Sequence, residues 1–105
     1  MDIEQLRDYC LAKSGTEESF PFGPDTLVFK IKGKIYLLTN LESIPLQFNV
    51  KCDPEKAIDL RDTFPNSVLP GYHMNKKHWN TVVCTGEIPL RELLNMVDDS
   101  YDLVK

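Results

Sequence analysis

What this sequence lacks narrows its chemistry first. Nothing in its 105 residues approaches the ~20 consecutive apolar residues of a membrane-spanning helix, so no membrane partner is expected. There is no Cys-x-x-Cys and no His-Glu-x-x-His, and the chain holds only two histidines. A zinc site with recognisable ligand spacing is therefore not expected. The three cysteines, Cys10, Cys52 and Cys84, are odd in number, far apart and set among apolar residues. They read as reduced thiols rather than a disulfide framework, which implies a cytoplasmic protein. The five glycines stand singly at 15, 23, 33, 71 and 86, so no Gly-rich loop is present to cradle phosphates. The start, Met1-Asp2-Ile3-Glu4-Gln5, is acidic and amphipathic, unlike a signal peptide. Asp98-Asp99 looks like a pair of carboxylates, but Asp in a helix break commonly caps and turns. No catalytic residue, metal or cofactor is assigned, and a non-enzymatic protein is expected.

One absence is local. Residues 66–86 contain no acid at all, although the chain as a whole carries 16 acidic and 12 basic side chains for a net charge of −4. That overall balance disfavours a generic polyanion binder. The distribution is more informative. Lys30, Lys32, Lys34 and Lys51 face only Glu42 within residues 26–51, and Lys76 and Lys77 occupy the acid-free stretch. Positive charge is thus concentrated in two segments, both of which read as β structure.

An apolar content of 42% and a charged content of 27% suit a single globular domain over residues 1–105. Asp2 and Gln5 form a capping-box pair ahead of Ile3, Leu6 and Cys10 at helical spacing, and Ser14-Gly15 ends that helix. Residues 16–25 read as a loop that packs down to cover Phe20 and Phe22. Leu27, Phe29 and Ile31 alternate with polar or outward positions. Lys32-Gly33 then makes a tight turn into a strand over 34–39, with Ile35 and Leu37 on one side and Tyr36 and Leu38 on the other. Leu46, Phe48 and Val50 mark a third strand. Asp53-Pro54 starts a second helix, whose inner stripe is Ala57, Leu60 and Phe64. Two strands follow over 66–74 and 80–85. Pro89 opens a third helix with Leu90, Leu93, Leu94 and Val97 on one face, interrupted at Asp98-Asp99-Ser100. The expected class is α+β: a two-layer α-β(3)-α-β(2)-α arrangement, an antiparallel sheet with helices packed on one face.

The densest chemistry lies in residues 70–81, which hold Tyr72, His73, Asn75, Lys76, Lys77, His78, the single Trp79 and Asn80. Lysines at hairpins can neutralise phosphates, and Tyr72, His78 and Trp79 can stack on bases if exposed. The plainer readings stand beside these. Hairpin lysines also keep a sheet edge soluble, and a lone Trp in a small sheet protein is commonly core.

Several stretches together resemble the MmcQ/YjbR family of small bacterial proteins. They are Phe20-Pro21-Phe22-Gly23-Pro24-Asp25, the hairpin around Gly33, Lys51-Cys52-Asp53-Pro54-Glu55, Leu60-Arg61, the run from Pro70 through Val82, and Ser100-Tyr101-Asp102-Leu103-Val104. The resemblance implies the α-β(3)-α-β(2)-α fold, described as CyaY-like and related to type III secretion chaperones. It also implies a DNA-binding candidate with a double wing of β-hairpins. On that reading Lys30, Lys32, Lys34, Lys76, Lys77, His78 and Trp79 would meet nucleic acid. Tyr72, His73, Asn75 and Asn80 form a further candidate site. The expected partner is DNA, bound weakly; the alternative is a protein-interaction module of the secretion-chaperone kind, with residues 70–81 as a structural signature. A monomer or weak dimer is expected.

Overall fold

A computed structural model of the chain describes residues 1–72 and 74–105. The elements are α1 (Ile3–Leu11), β1 (Thr16–Ser19), β2 (Thr26–Ile31), β3 (Lys34–Asn40), β4 (Gln47–Lys51), α2 (Pro54–Thr63), β5 (Val68–Pro70), β6 (Trp79–Val83) and α3 (Leu90–Val104). The strands form one antiparallel sheet in the order β1-β2-β3-β4-β6-β5. The α+β class holds, with three local corrections.

First, the loop expected over 16–25 begins as a strand. Thr16-Glu17-Glu18-Ser19 pairs with β2, Thr16 opposite Ile31 and Ser19 opposite Val28. It has no apolar residue to reveal it, which suits an edge strand kept polar against association. Second, α3 runs unbroken through Asp98-Asp99-Ser100. Each of these residues has a tertiary partner: Asp98 accepts from Tyr9 Oη at 2.7 Å and from Lys13, Asp99 pairs with Lys56, and Ser100 Oγ accepts Lys51 N–H at 2.8 Å while donating to Tyr36 O. Third, the strand expected over 66–74 shrinks to Val68–Pro70, and the next one starts at Trp79.

The capping box of α1 is present, with Asp2 Oδ1 accepting Gln5 N–H at 2.8 Å and Gln5 Oε1 accepting Asp2 N–H at 3.0 Å. The core joins Leu6 and Cys10 of α1, Phe29, Leu37, Phe48, Val50 and Val82 of the sheet, and Leu93, Met96 and Val97 of α3, with Leu60 of α2 and Phe64 just after it packed against it. All three helices therefore bury their apolar stripes in one cluster on one face of the sheet. Full burial of each large side chain contributes roughly 1.5–3 kcal/mol.

Tyr36 departs from simple alternation. The register of β2 and β3 shifts between Phe29, opposite Leu37, and Lys30, opposite Ile35. Tyr36 is thus the extra residue of a β-bulge, and both Tyr36 and Leu37 are buried in the core. Its hydroxyl meets Thr16 Oγ1 at 3.0 Å and donates to Cys10 O at 3.3 Å. The cost is that Ile35 and Leu38 line the opposite face.

Candidate nucleic-acid interface

The register places both basic segments at one end of the sheet. Ile31 pairs with Lys34 around the β2–β3 turn, Leu37 with Val50, and Lys51 with Trp79. The β2–β3 turn and the β5–β6 turn therefore emerge from the same end, separated by β4. Lys32 and Lys34 are exposed on the first turn, Lys76 and Lys77 on the second, and half-buried Lys30 and Lys51 lie on the strands nearby. Glu17 stands opposite Lys30 across β1 and β2. Many of the acids lie on the helices: Glu4 and Asp8 on α1, Glu55, Asp59 and Asp62 on α2, and Glu92, Asp98, Asp99 and Asp102 on α3. The net charge of −4 conceals this division into an acidic helical layer and a basic sheet end.

The first turn is closed by backbone geometry. Lys32 (φ 53°) and Gly33 (φ 76°) are both left-handed, as a two-residue type I′ hairpin requires. The second turn is held by its own bonds and by a clamp from α2. Arg61 of α2 donates from Nε to Asn80 Oδ1 at 2.8 Å, and from Nη2 to Trp79 O at 3.3 Å and to Lys76 O. Gly71 N–H donates to Trp79 O at 2.9 Å. A Cβ on Gly71 would lie 2.8 Å from Trp79 Cβ, so only glycine permits this approach.

The candidate residues of the run divide accordingly. Asn80 is internal, 1% exposed, and its amide oxygen serves Arg61. Asn75 builds the turn: its side chain accepts Lys77 N–H at 3.0 Å and its carbonyl accepts His78 and Trp79 N–H. His78 and Trp79 are half-buried, and His78 O accepts Cys52 N–H at 2.7 Å. Tyr72 is 69% exposed. His73 lies outside the described residues. The structure also brings in two residues that the sequence reading named but did not assign to a site: Arg61 as the clamp and Lys51 between the two turns. Lys51 sits in the same basic segment as Lys30–Lys34, which is the signal that marks it.

The thiols of Cys10 and Cys52 are buried and that of Cys84 is half-buried. Burial pushes the Cys10 thiol up to about 12, and burial likewise raises Cys52 and Cys84; such thiols stay protonated and unreactive at neutral pH. Among the described residues, no group of three or more His, Cys, Asp or Glu is placed to hold a metal ion, and no helix is long and apolar enough to cross a membrane.

The fold is that of a small α+β protein with a six-stranded antiparallel sheet under three helices. The YjbR family's sequence model matches residues 11–103, and the chain belongs to that family. Escherichia coli O157:H7 YbdF is 45% identical over 89 residues, covering 84% of this chain and 71% of that protein. YjbR of Escherichia coli K12 is 33% identical over 102 residues, covering 96% and 85%. A Deinococcus radiodurans crystal structure of the DUF419 domain type superposes with a TM-score of 0.94 at 42% identity, covering 97% of this chain and 77% of that one. A Pseudomonas syringae crystal structure gives a TM-score of 0.84 at 30% identity over the whole of both chains. None of these names carries an enzymatic activity.

Proposed function

We propose that this chain is a non-enzymatic binding module that grips the phosphates of nucleic acid with the lysines of its two β-hairpins. The observation that carries the reading is topological. The order β2-β3-β4-β6-β5 brings Lys32 and Lys34 to the same end as Lys76 and Lys77, with Lys51 between them. A β-ribbon fits the major groove, and lysines held as point charges neutralise phosphates without reading sequence. Few phosphates are contacted, so affinity is modest and strongly salt-dependent.

Fluorescence anisotropy with labelled duplex DNA tests this. Changing Lys76 and Lys77 together to Ala weakens binding to all sequences alike and lowers the slope of log K against log salt by roughly two. No binding at low salt, or binding untouched by those changes, overturns the reading.

A second reading, a protein-interaction module, draws on a different surface. Ile44 is 97% exposed beside exposed Leu41, and a groove there is also lined by Met1, Ile3 and Leu46. A contiguous apolar patch of this kind suits a protein partner. Concentration-dependent sedimentation abolished by Ile44→Asp would support self-association through it.

A further inference from the structure

The sheet face turned away from the helices carries a groove of about 550 Å³, within the range that accepts a small planar ligand. Its floor is Ile35 and Leu38 with the amides Asn40, Gln47 and Asn49, and its walls are Phe22, Tyr72 and Met74 from two loops. Phe22 and Tyr72 are 63% and 69% exposed. Thr81 Oγ1 donates to Asn49 Oδ1 at 2.5 Å and accepts Tyr72 N–H at 3.1 Å. That relay fixes the Asn49 amide and holds the Tyr72 backbone over the sheet. The Asn49 N–H2 has no partner among the described residues. Two residues further along β4, on the same face, stands Lys51, beside the basic end.

We infer that this groove takes an unstacked base of a single strand whose phosphates lie on the lysines, so that the chain prefers single-stranded nucleic acid to duplex. The inference rests on the nucleic-acid reading above and adds its substrate class. Exposed rings offer faces for stacking, which is sequence-tolerant, and side-chain amides pair with the donor and acceptor edges of a splayed base. In a duplex those faces and edges are occupied. An apolar peptide would cover the Asn49 N–H2 without offering it an acceptor, which is unfavourable.

The test measures the full chain, by anisotropy at low salt, against a labelled single strand of about 12 nucleotides and against its duplex. Phe22→Ala and Tyr72→Ala each weaken single-strand binding roughly tenfold and leave duplex binding unchanged; Tyr72→Trp restores it. Both positions are exposed, and circular dichroism confirms that the variants fold. Addition of the single strand, but not of duplex, shifts the side-chain amide resonances of Asn49 and Gln47. Equal affinity for strand and duplex, or Ala variants indistinguishable from the parent, overturns the groove assignment and leaves the lysine interface standing. Absence of binding to either nucleic acid overturns both.

Discussion

The two hairpins present similar charge by opposite means. The β2–β3 hairpin closes on itself: two residues with positive φ turn the chain, and its ladder is local. The β5–β6 connection spans residues 71–78, and none of those that the structure describes has a positive φ. Besides its own bonds through Asn75 and between Gly71 and Trp79, it is held by two groups from elsewhere: Arg61 of α2, and Cys52 N–H, which donates to His78 O. The first hairpin is autonomous; the second takes part of its shape from tertiary packing. A surface that needs both at one end of the sheet therefore depends on α2, which itself carries none of the hairpin lysines.

Removing the clamp should break the comparison most. Arg61→Ala leaves the buried Asn80 amide oxygen without its charged donor, while Trp79 O keeps Gly71 N–H, and should cost about 3 kcal/mol in urea unfolding. Backbone amides of residues 71–79 should open faster in hydrogen exchange while those of 31–34 are unchanged. Equal loosening of both hairpins, or a loss below about 1 kcal/mol, would show that the second turn is as self-sufficient as the first.

The same substitution at both turns sharpens the contrast. Gly71→Ala forces the Trp79 backbone aside and should cost about 2 kcal/mol through overpacking. Gly33→Ala meets nothing within 4 Å, so only the left-handed backbone is strained, at about 1 kcal/mol. Thermal melts rank the two. If Gly33→Ala is the more damaging, local geometry rather than packing dominates both turns.

This asymmetry explains how much could be read from the chain. Leu27-Phe29-Ile31 and Phe48-Val50 announce strands because every second residue is apolar, and Asp53-Pro54 announces a helix because the cap and the missing N–H act locally. Thr16–Ser19 has no apolar member and is a strand only because β2 offers its edge. Asp98–Ser100 looks like a helix break until Tyr9, Lys13, Lys56 and Tyr36 supply partners from elsewhere. The lysine clusters were visible as segments, but their meeting at one end follows from β4 lying between β3 and β6, a long-range pairing that no local pattern carries. Phe22 and Tyr72, fifty positions apart, flank one groove for the same reason.

The smallest expected effect concerns pH and separates the two sides of the sheet. Beside the autonomous hairpin, the edge strand β1 is tied to α1 by Arg7, which donates from Nε and Nη2 to Glu18 at 2.7 and 2.6 Å. The hydrogen bond from Arg7 holds the Glu18 carboxyl below its ordinary value of 4.5. A carboxyl depressed in the folded state adds stability that is present above 4.5 and lost as pH falls through its folded value. The pair is solvent-exposed, so the gain is slight and screened by salt. The clamp on the other hairpin has no such dependence, because the partners of Arg61 are an amide and carbonyls that do not titrate there. Acidification should thus loosen the amides of residues 16–19 in the parent protein, relative to a Glu18→Gln variant, and leave residues 71–79 alike in both. Loosening of residues 71–79 that Glu18→Gln suppresses would mean that the edge and the clamp are coupled through α1 and α3, and the two hairpins would then have to be treated as one cooperative unit.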